Sequence, residues 1–474
     1  MAKCSRCLAL ENQLAELQAQ NAELRAQLDM LQHKVAEKNP EDETKETAVK
    51  TSIYSPFSRV ELQRYGRQML VKEFGVQAQL KLRAARVLLV GLGGLGSPAA
   101  MYLAAMGVGT LALVDSDSVE RSNLHRQILH DEQGVKKREK KVNSAKRRLQ
   151  ALNPLVHCVV YPTRLTETNA FTLVGEYDVV VDASDNVSTR YLVNDACSRL
   201  RTPLVSGSAL GLEGQVTVFT YRDDEHATGC YRCLYPTPPR VAMSCAENGV
   251  LGVVPGIIGC LQAVETVKLI TGVGEPLVGV QCFYDAYDSQ FRRLKIAMTR
   301  KLDCPSCGRY TGIKSKDLLQ LVRGRCSDEV EHLDSLGPEF RISVADFAKV
   351  RKAAAQAKKE GQRIVPGTYL LLDTRVRIQF EMVHFPEAVN IPTLELMKQD
   401  PAEIISTLNC LITSVAAEQH QVIKRIFVIC RRGVDSVKVT RWLLDRGIQN
   451  VCNIDGGYSE YAKTNGVDPT FPMY

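Results

Sequence analysis

Cys230-Tyr-Arg-Cys233 and Cys304-Pro-Ser-Cys307 are two C-x-x-C knuckles set far apart in one chain. Each knuckle bends two sulfurs toward one point, so the four thiolates can close a tetrahedral zinc site. The stretch between them is too long for a zinc finger. A metal held here would pin two distant parts of one larger domain, and any acceptable fold must bring the knuckles together. With all four positions taken by sulfur, such a zinc is structural.

At 474 residues there is room for two or three domains. A hydrophobic share of 45% and a charged share of 24% fit a soluble globular protein. Sixty basic against 53 acidic residues leave a net charge of +7, too mild and too dispersed to predict direct nucleic-acid binding. The densest basic stripe, Lys136-Lys137-Arg138 through Arg147-Arg148, reads as a solvated helix face. No apolar run in the sequence reaches the roughly 18 residues of a membrane span, so no membrane association is expected. Met-Ala-Lys-Cys-Ser-Arg-Cys at the start lacks an apolar signal core. Fifteen cysteines in such a chain point to reduced thiols, metal ligands or catalysis, and to the cytosol. Cys4 and Cys7 read as idle.

Residues 1–36 carry Leu10, Leu14, Leu17, Leu24, Leu28, Leu31 and Val35, with Asn21 filling the gap in the series. This heptad seam with one polar core position predicts a short coiled coil, against a solitary amphipathic helix. Residues 37–56 are charged and apolar-poor and read as a flexible linker. Residues 57–312 alternate buried-strand runs with helical stretches, among the former Arg86–Val90, Thr110–Val114 and 178–181. That pattern predicts an α/β domain with a mostly parallel sheet. A polar linker, 313–340, precedes a second α/β unit, 341–474, with strands at 369–372 and 425–429 and a helix at 437–446.

Gly91-Leu-Gly-Gly94-Leu-Gly96 follows a strand and opens a helix, where glycine backbone approaches phosphates at a helix N-terminus. Asp115 ends the next strand, placed for ribose hydroxyls. A nicotinamide- or flavin-binding domain would show the same two features. The run Ser122-Asn123-Leu124-His125-Arg126-Gln127 and Lys141 on a following helix suit a triphosphate with developing charge better than a dinucleotide. Asp182-Ala-Ser-Asp185-Asn186 follows another strand; Asp185 reads as a magnesium ligand, and Asp182 as either a ligand or a helix cap.

These motifs, in this order, resemble the adenylating domain of the ubiquitin-activating superfamily, as do Arg64-Tyr-Gly-Arg67-Gln68 and the paired knuckles. The resemblance implies ATP as ligand and the C-terminal glycine carboxylate of a ubiquitin-fold protein as substrate. It places Gly94, Asp115, Ser122, Asn123, Leu124, His125, Arg126, Lys141, Asp185 and Asn186 around ATP. It also implies a homodimer in which Arg67 reaches the phosphates of the partner subunit. Asp185 would serve magnesium and in-line attack on the α-phosphate.

Two further cysteines carry sulfur chemistry. Cys245 lies in a Gly- and Pro-punctuated loop ahead of an expected helix at 257–270, where a thiol can ionise and move. A bland free thiol is the alternative. The resemblance gives this position the thioester- or disulfide-forming cysteine, although Cys245-Ala-Glu-Asn-Gly departs from the family's Cys-Ala-Asp-Gly-Gly. Cys430 follows Arg425–Ile429 and precedes Arg431-Arg-Gly-Val-Asp-Ser436 and a helix. It reads as an exposed cysteine with several backbone N–H donors aimed at its sulfur, favouring a thiolate or persulfide. With Asp373-Thr-Arg375 and the segment from His384 to Pro392, it resembles a rhodanese domain; His384 itself reads as packing. A related phosphatase loop would end in an arginine, where this chain has Asp435-Ser436.

The two halves together resemble the eukaryotic adenylyltransferase–sulfurtransferases of molybdenum cofactor synthesis and tRNA thiolation. That family implies a carrier acyl-adenylate, attack by persulfide on Cys430, and release of a thiocarboxylate by Cys245. It implies a cysteine desulfurase as sulfur donor, and as carriers the molybdopterin synthase small subunit and the ubiquitin-related modifier. The alternatives are an activating enzyme for protein conjugation, which has no need of Cys430, and an inactive scaffold, which has no need of Arg126, Lys141 and Asp185.

Overall fold

The computed structural model describes residues 55–221, 228–237, 249–296, 300–308, 336–359, 369–398, 400, 406–408, 410–413, 425–464 and 471–472. The heptad segment, Cys4, Cys7 and Cys245 lie outside the described residues, as do most of the 37–56 linker and most of 313–340.

The N-terminal unit, to Gly75, contributes helix α1 (Arg59–Met69). A reciprocal capping box starts it: Ser58 Oγ accepts from the Glu61 N–H, and Glu61 returns the bond to the Ser58 N–H. Arg67 sits in its last turn.

From Val76 onward the chain builds two sheets. The first has eight strands in the order β3-β2-β1-β4-β5-β6-β7-β8. Strands β1 (Arg86–Val90), β2 (Thr110–Val114), β3 (His157–Tyr161), β4 (Val179–Asp182) and β5 (Leu204–Leu210) are parallel. Their near-continuous apolar runs are buried because helices cover both faces. Strands β6 (Glu213–Phe219), β7 (Val280–Asp285) and β8 (Gln290–Lys295) then run antiparallel to the far edge. The expected mostly parallel sheet is therefore present, with an antiparallel extension.

After β1 the chain crosses to β2 on one side, and later returns to β4 on the other, so the loops leaving β1 and β4 part above the sheet. Ligand crevices of doubly wound sheets form at such a switch point. Gly91 makes the turn possible: its φ is +92°, and a Cβ there would lie 2.7 Å from the Ala183 carbonyl oxygen. The turn leads into helix α2 (Gly96–Ala105).

Helix α3 (Val253–Thr271) corrects one reading. With 19 residues and a mean hydropathy of 1.6 it is long and apolar enough to cross a membrane, although no such run was expected. Here it is a core helix against β5, β6 and α2. Two of its buried polar side chains bond inside the protein: Gln262 donates to the Asp182 carbonyl at 2.7 Å, and Glu265 accepts from Leu277 N–H at 2.7 Å.

The second sheet is five-stranded and parallel throughout, in the order β11-β10-β12-β13-β9. It comprises β9 (Arg341–Ile342), β10 (Tyr369–Asp373), β11 (Ala388–Asn390), β12 (Arg425–Ile429) and β13 (Val451–Ile454). Alternate residues feed two cores. Leu371, Phe427 and Ile429 meet the aromatic cluster of Phe347, Phe385, Tyr458 and Tyr461, while Leu370, Leu372, Ile426 and Val428 face Val439 and Leu443. An ordered turn, Pro338–Phe340, leads into β9, so regular structure starts a little before residue 341.

Candidate active site

A cleft open to solvent on one side lies over the C-terminal ends of β1 to β4. Gly94, Asp115, Arg126, Lys141, Asp185 and Asn186 line it, bringing together residues read separately from the sequence. Lys141 opens helix α4 (Lys141–Leu152) and is buried, its Nζ donating to Asp117 Oδ2 at 3.0 Å. Asp115 accepts two backbone N–H bonds, from Leu92 at 2.9 Å and from Asp117 at 2.8 Å. It thus ties the glycine-rich turn to the end of β2.

Ser122, Asn123, Leu124 and His125 fall in and beside a 3₁₀ turn and do not line the cleft. Their effect is indirect. Asn123 Oδ1 accepts from Arg126 Nη2 at 2.8 Å, and the Arg126 N–H donates to the Asn123 carbonyl, so the turn aims the guanidinium. Arg67 belongs to the N-terminal unit and stands on α1.

Asp182 and Asp185 separate clearly. Asp182 is wholly buried; its oxygens accept from Ser184 and Ser206, and Arg190 lies 3.4 Å away. That makes it a brace for the loop, neither a free ligand nor a helix cap. Asp185 is exposed and faces the cleft. Asn186 caps helix α5 (Val187–Leu200), accepting from the Thr189 N–H at 2.8 Å. Thr163, Arg164, Thr189, Val250 and Pro255, which carried no signal in the sequence, also line the cleft, as does Gln127 from the Ser122–Gln127 run. The buried Oε1 of Gln127 has no hydrogen-bond partner among the described residues.

The knuckles meet as required. The Sγ atoms of Cys230, Cys233, Cys304 and Cys307 all lie within 4.8 Å of one another, and all four residues are buried. Cys230 and Cys304 sulfurs are 3.6 Å apart, and those of Cys233 and Cys307 3.4 Å. Disulfides are closed at about 2.05 Å, whereas a tetrahedron with metal–sulfur bonds of about 2.3 Å has edges near these separations. The cluster can therefore hold a metal ion. Hydrogen bonds from Cys230, Cys304 and Cys307 draw the Cys233 thiol far below its ordinary value, while contacts with Cys233, Cys304 and Cys307 drive Cys230 far above it.

Helix α5 grips both knuckles. Asn194 Oδ1 accepts from the Tyr231 N–H at 2.6 Å, and Ser198 and Ser306 hydroxyls are 2.5 Å apart. Arg232, inside the first knuckle, forms two 2.7 Å bonds with Asp195, and its guanidinium lies 4.6 Å above the Tyr191 ring.

Cys430 ends β12 in the middle of the second sheet. The structure corrects its expected exposure: the residue is 3% exposed, because the loop wraps its sulfur. Among the described residues, the Gly433 N–H donates to its sulfur at 3.1 Å, joined by the Ser436 hydroxyl at 3.3 Å. Gly433 is left-handed at φ +83° and precedes helix α6 (Val434–Leu444). The N–H groups of Tyr458 and Ser459, in helix α7 (Gly457–Lys463), hold the carbonyls of Cys430 and Arg431. Arg375 forms a buried pair with Asp373 at 2.5 Å and covers the Tyr458 ring, so Asp373-Thr-Arg375 is a structural lock. His384 stacks on Phe380 and bonds its carbonyl, in keeping with packing.

A glycine-turn cleft with cationic walls beside a four-thiolate cluster, and a cysteine loop on a second parallel sheet, define an adenylating enzyme joined to a sulfurtransferase unit. Residues 65–306 match the ThiF family and residues 352–464 the rhodanese-like domain. Adenylyltransferase and sulfurtransferase MOCS3 of Culex quinquefasciatus is 40% identical over 96% of this chain and 98% of its own length. The protein of the same name from Sus scrofa is 39% identical over 98% of this chain and its full length, and that of Anopheles gambiae 42% over 87% and 89%. The chain belongs to this MOCS3 family of adenylyltransferases and sulfurtransferases.

Proposed function

We infer that this enzyme uses ATP to adenylate the C-terminal glycine of ubiquitin-fold sulfur carriers and then converts the acyl-adenylate to a thiocarboxylate. The products serve molybdenum cofactor synthesis and 2-thiolation of the tRNA wobble uridine. The observation that carries this reading is the convergence of Gly94, Arg126, Lys141 and Asp185 on one cleft. A carboxylate resists nucleophiles through resonance and charge; joining it to AMP supplies a leaving group. Arg126 and Lys141 stand where negative charge grows on the phosphates as pyrophosphate departs. Asp185, exposed at the cleft, would hold magnesium, which when bound neutralises phosphate charge.

Sulfur transfer follows in two displacements. The terminal sulfur of a Cys430 persulfide attacks the acyl carbon and AMP leaves, giving an acyl disulfide. The Cys245 thiolate then attacks the Cys430 sulfur of that disulfide. Thiocarboxylate is released and a Cys245–Cys430 bond remains for a thiol reductant. Gly433 N–H and the Ser436 hydroxyl are positioned to stabilise sulfur charge at Cys430. The four-cysteine cluster, by its soft donors and closed coordination, is suited to structural zinc. A cysteine desulfurase as persulfide source, a homodimer with Arg67 crossing between subunits, and a cytosolic location complete the proposal. The described cysteines are all free thiols, which suits a reducing compartment.

The test is Cys430→Ala. Carrier-dependent ATP–pyrophosphate exchange should persist, while mass spectrometry of the carrier should show no replacement of oxygen by sulfur. Equal loss of both activities would refute the division of labour.

A further inference from the structure

His130 does not line the cleft, yet it is buried directly behind it at 6% exposure. Its Nε2 lies 3.0 Å from the carbonyl oxygen of Leu92, in the glycine-rich turn, and its Nδ1 3.1 Å from Ser144 Oγ on α4. A carbonyl can only accept, so Nε2 must carry the proton. The amide before Leu92 is meanwhile fixed by Asp115, since the Leu92 N–H donates to that carboxylate at 2.9 Å. Leu92 is therefore clamped from both directions, by Asp115 through its N–H and by His130 through its carbonyl.

We propose that His130 is a positioning residue for the nucleotide: it holds the Gly91–Gly94 turn in register with α4, the helix that Lys141 opens. The inference rests on the ATP reading given above. The consequences for binding are direct. Gly93 and Gly94 line the cleft beside Leu92, so rotation of the Leu92 peptide moves the backbone that faces the phosphates. Ser144 stands one helical turn from Lys141, so the same imidazole couples the turn to the cation. Burial lowers the imidazole's proton affinity, as does nearby Lys141, against the Leu92 carbonyl, Asp115 and Asp131 acting the other way. The net direction favours the neutral ring, and the Leu92 carbonyl requires that its proton sit on Nε2.

The experiment compares His130→Ala, His130→Gln and His130→Asn in the full-length enzyme, reading ATP–pyrophosphate exchange with a ubiquitin-fold carrier and thermal unfolding. His130→Ala should raise the KM for ATP by about ten-fold, the cost of about one net hydrogen bond to a buried carbonyl, leaving the carrier KM unchanged. His130→Gln, whose amide can donate to Leu92, should return the ATP KM to within about three-fold of the parent. The shorter His130→Asn should not. An unchanged ATP KM in a folded His130→Ala would overturn the proposal, as would equal ATP KM values for the Gln and Asn variants. The two amide variants decide the matter even if the alanine variant does not fold. Absence of exchange in the parent would instead sink the ATP–carrier reading itself.

Discussion

Asp195→Asn tests how the four-cysteine cluster is held. Asp195 and Arg232 side chains are 3% and 1% exposed, and two 2.7 Å bonds join them. Neither charge has water to fall back on, so neutralising the acid takes the opposite charge away from the guanidinium beneath the knuckle. Breaking a buried pair in this way costs about 3–5 kcal/mol. Arg232 lies between Cys230 and Cys233, so the loss falls on the first knuckle. If it is confined there and the cluster holds the proposed zinc, apparent zinc affinity should drop by about 10²- to 4 × 10³-fold, at 1.4 kcal/mol per decade. Equilibrium competition with a chromogenic chelator reads that affinity, and urea unfolding reads the stability. The double variant Asp195→Leu/Arg232→Met should be less damaged than Asp195→Asn, since it leaves no unpaired charge. A buried Asp195–Arg232 pair of this weight is refuted if Asp195→Asn binds zinc like the parent and unfolds within about 1 kcal/mol of it, or if the double variant is the worst of the set.

Gly457→Ala should disable sulfur transfer while sparing adenylation. Gly457 has φ +57°, and a Cβ there would run into the Cys430 carbonyl oxygen, forcing the cysteine loop aside. Thiocarboxylate formation should fall at least ten-fold, with pyrophosphate exchange unchanged; an unimpaired variant would show the loop is not set by α7. The pH dependence of stability carries a further mark of His130. Its folded-state proton affinity is lowered, so the unfolded chain binds the proton more readily, and this contribution is full above the ordinary imidazole value of 6.5. It is lost as pH falls below 6.5 toward the lowered folded value. Urea unfolding at a series of pH values should show a shallower acid decline for His130→Gln than for the parent; parallel curves would contradict it.

Much of the sheet was legible because parallel strands buried on both faces must be continuous apolar runs. Arg86–Val90, Thr110–Val114 and Arg425–Ile429 form strands with the expected limits. The knuckles were legible from spacing, since two cysteines three apart have few other uses in that number. Local sequence misled where burial depends on distant chain. Cys430 looked exposed because it starts a loop, but Gly457 and Tyr458 come back to close that loop. Asp182 could be read as ligand or cap until Ser206 and Arg190 were seen to occupy it.

The chemistry that this chain carries is written in its residues: the glycine turn, the cations, the acid pair, the paired knuckles and the sulfur loop. Those follow from residue types at short spacing, which is information the local chain contains. Which of these groups face the cleft, and which hold the others in place, follows from the fold. Asn123 serves Arg126, Asp195 serves the first knuckle, and His130 serves Leu92, across separations in sequence that no local pattern encodes. A buried polar group must find its partner wherever the fold puts one, and that partner is fixed by packing of the whole sheet.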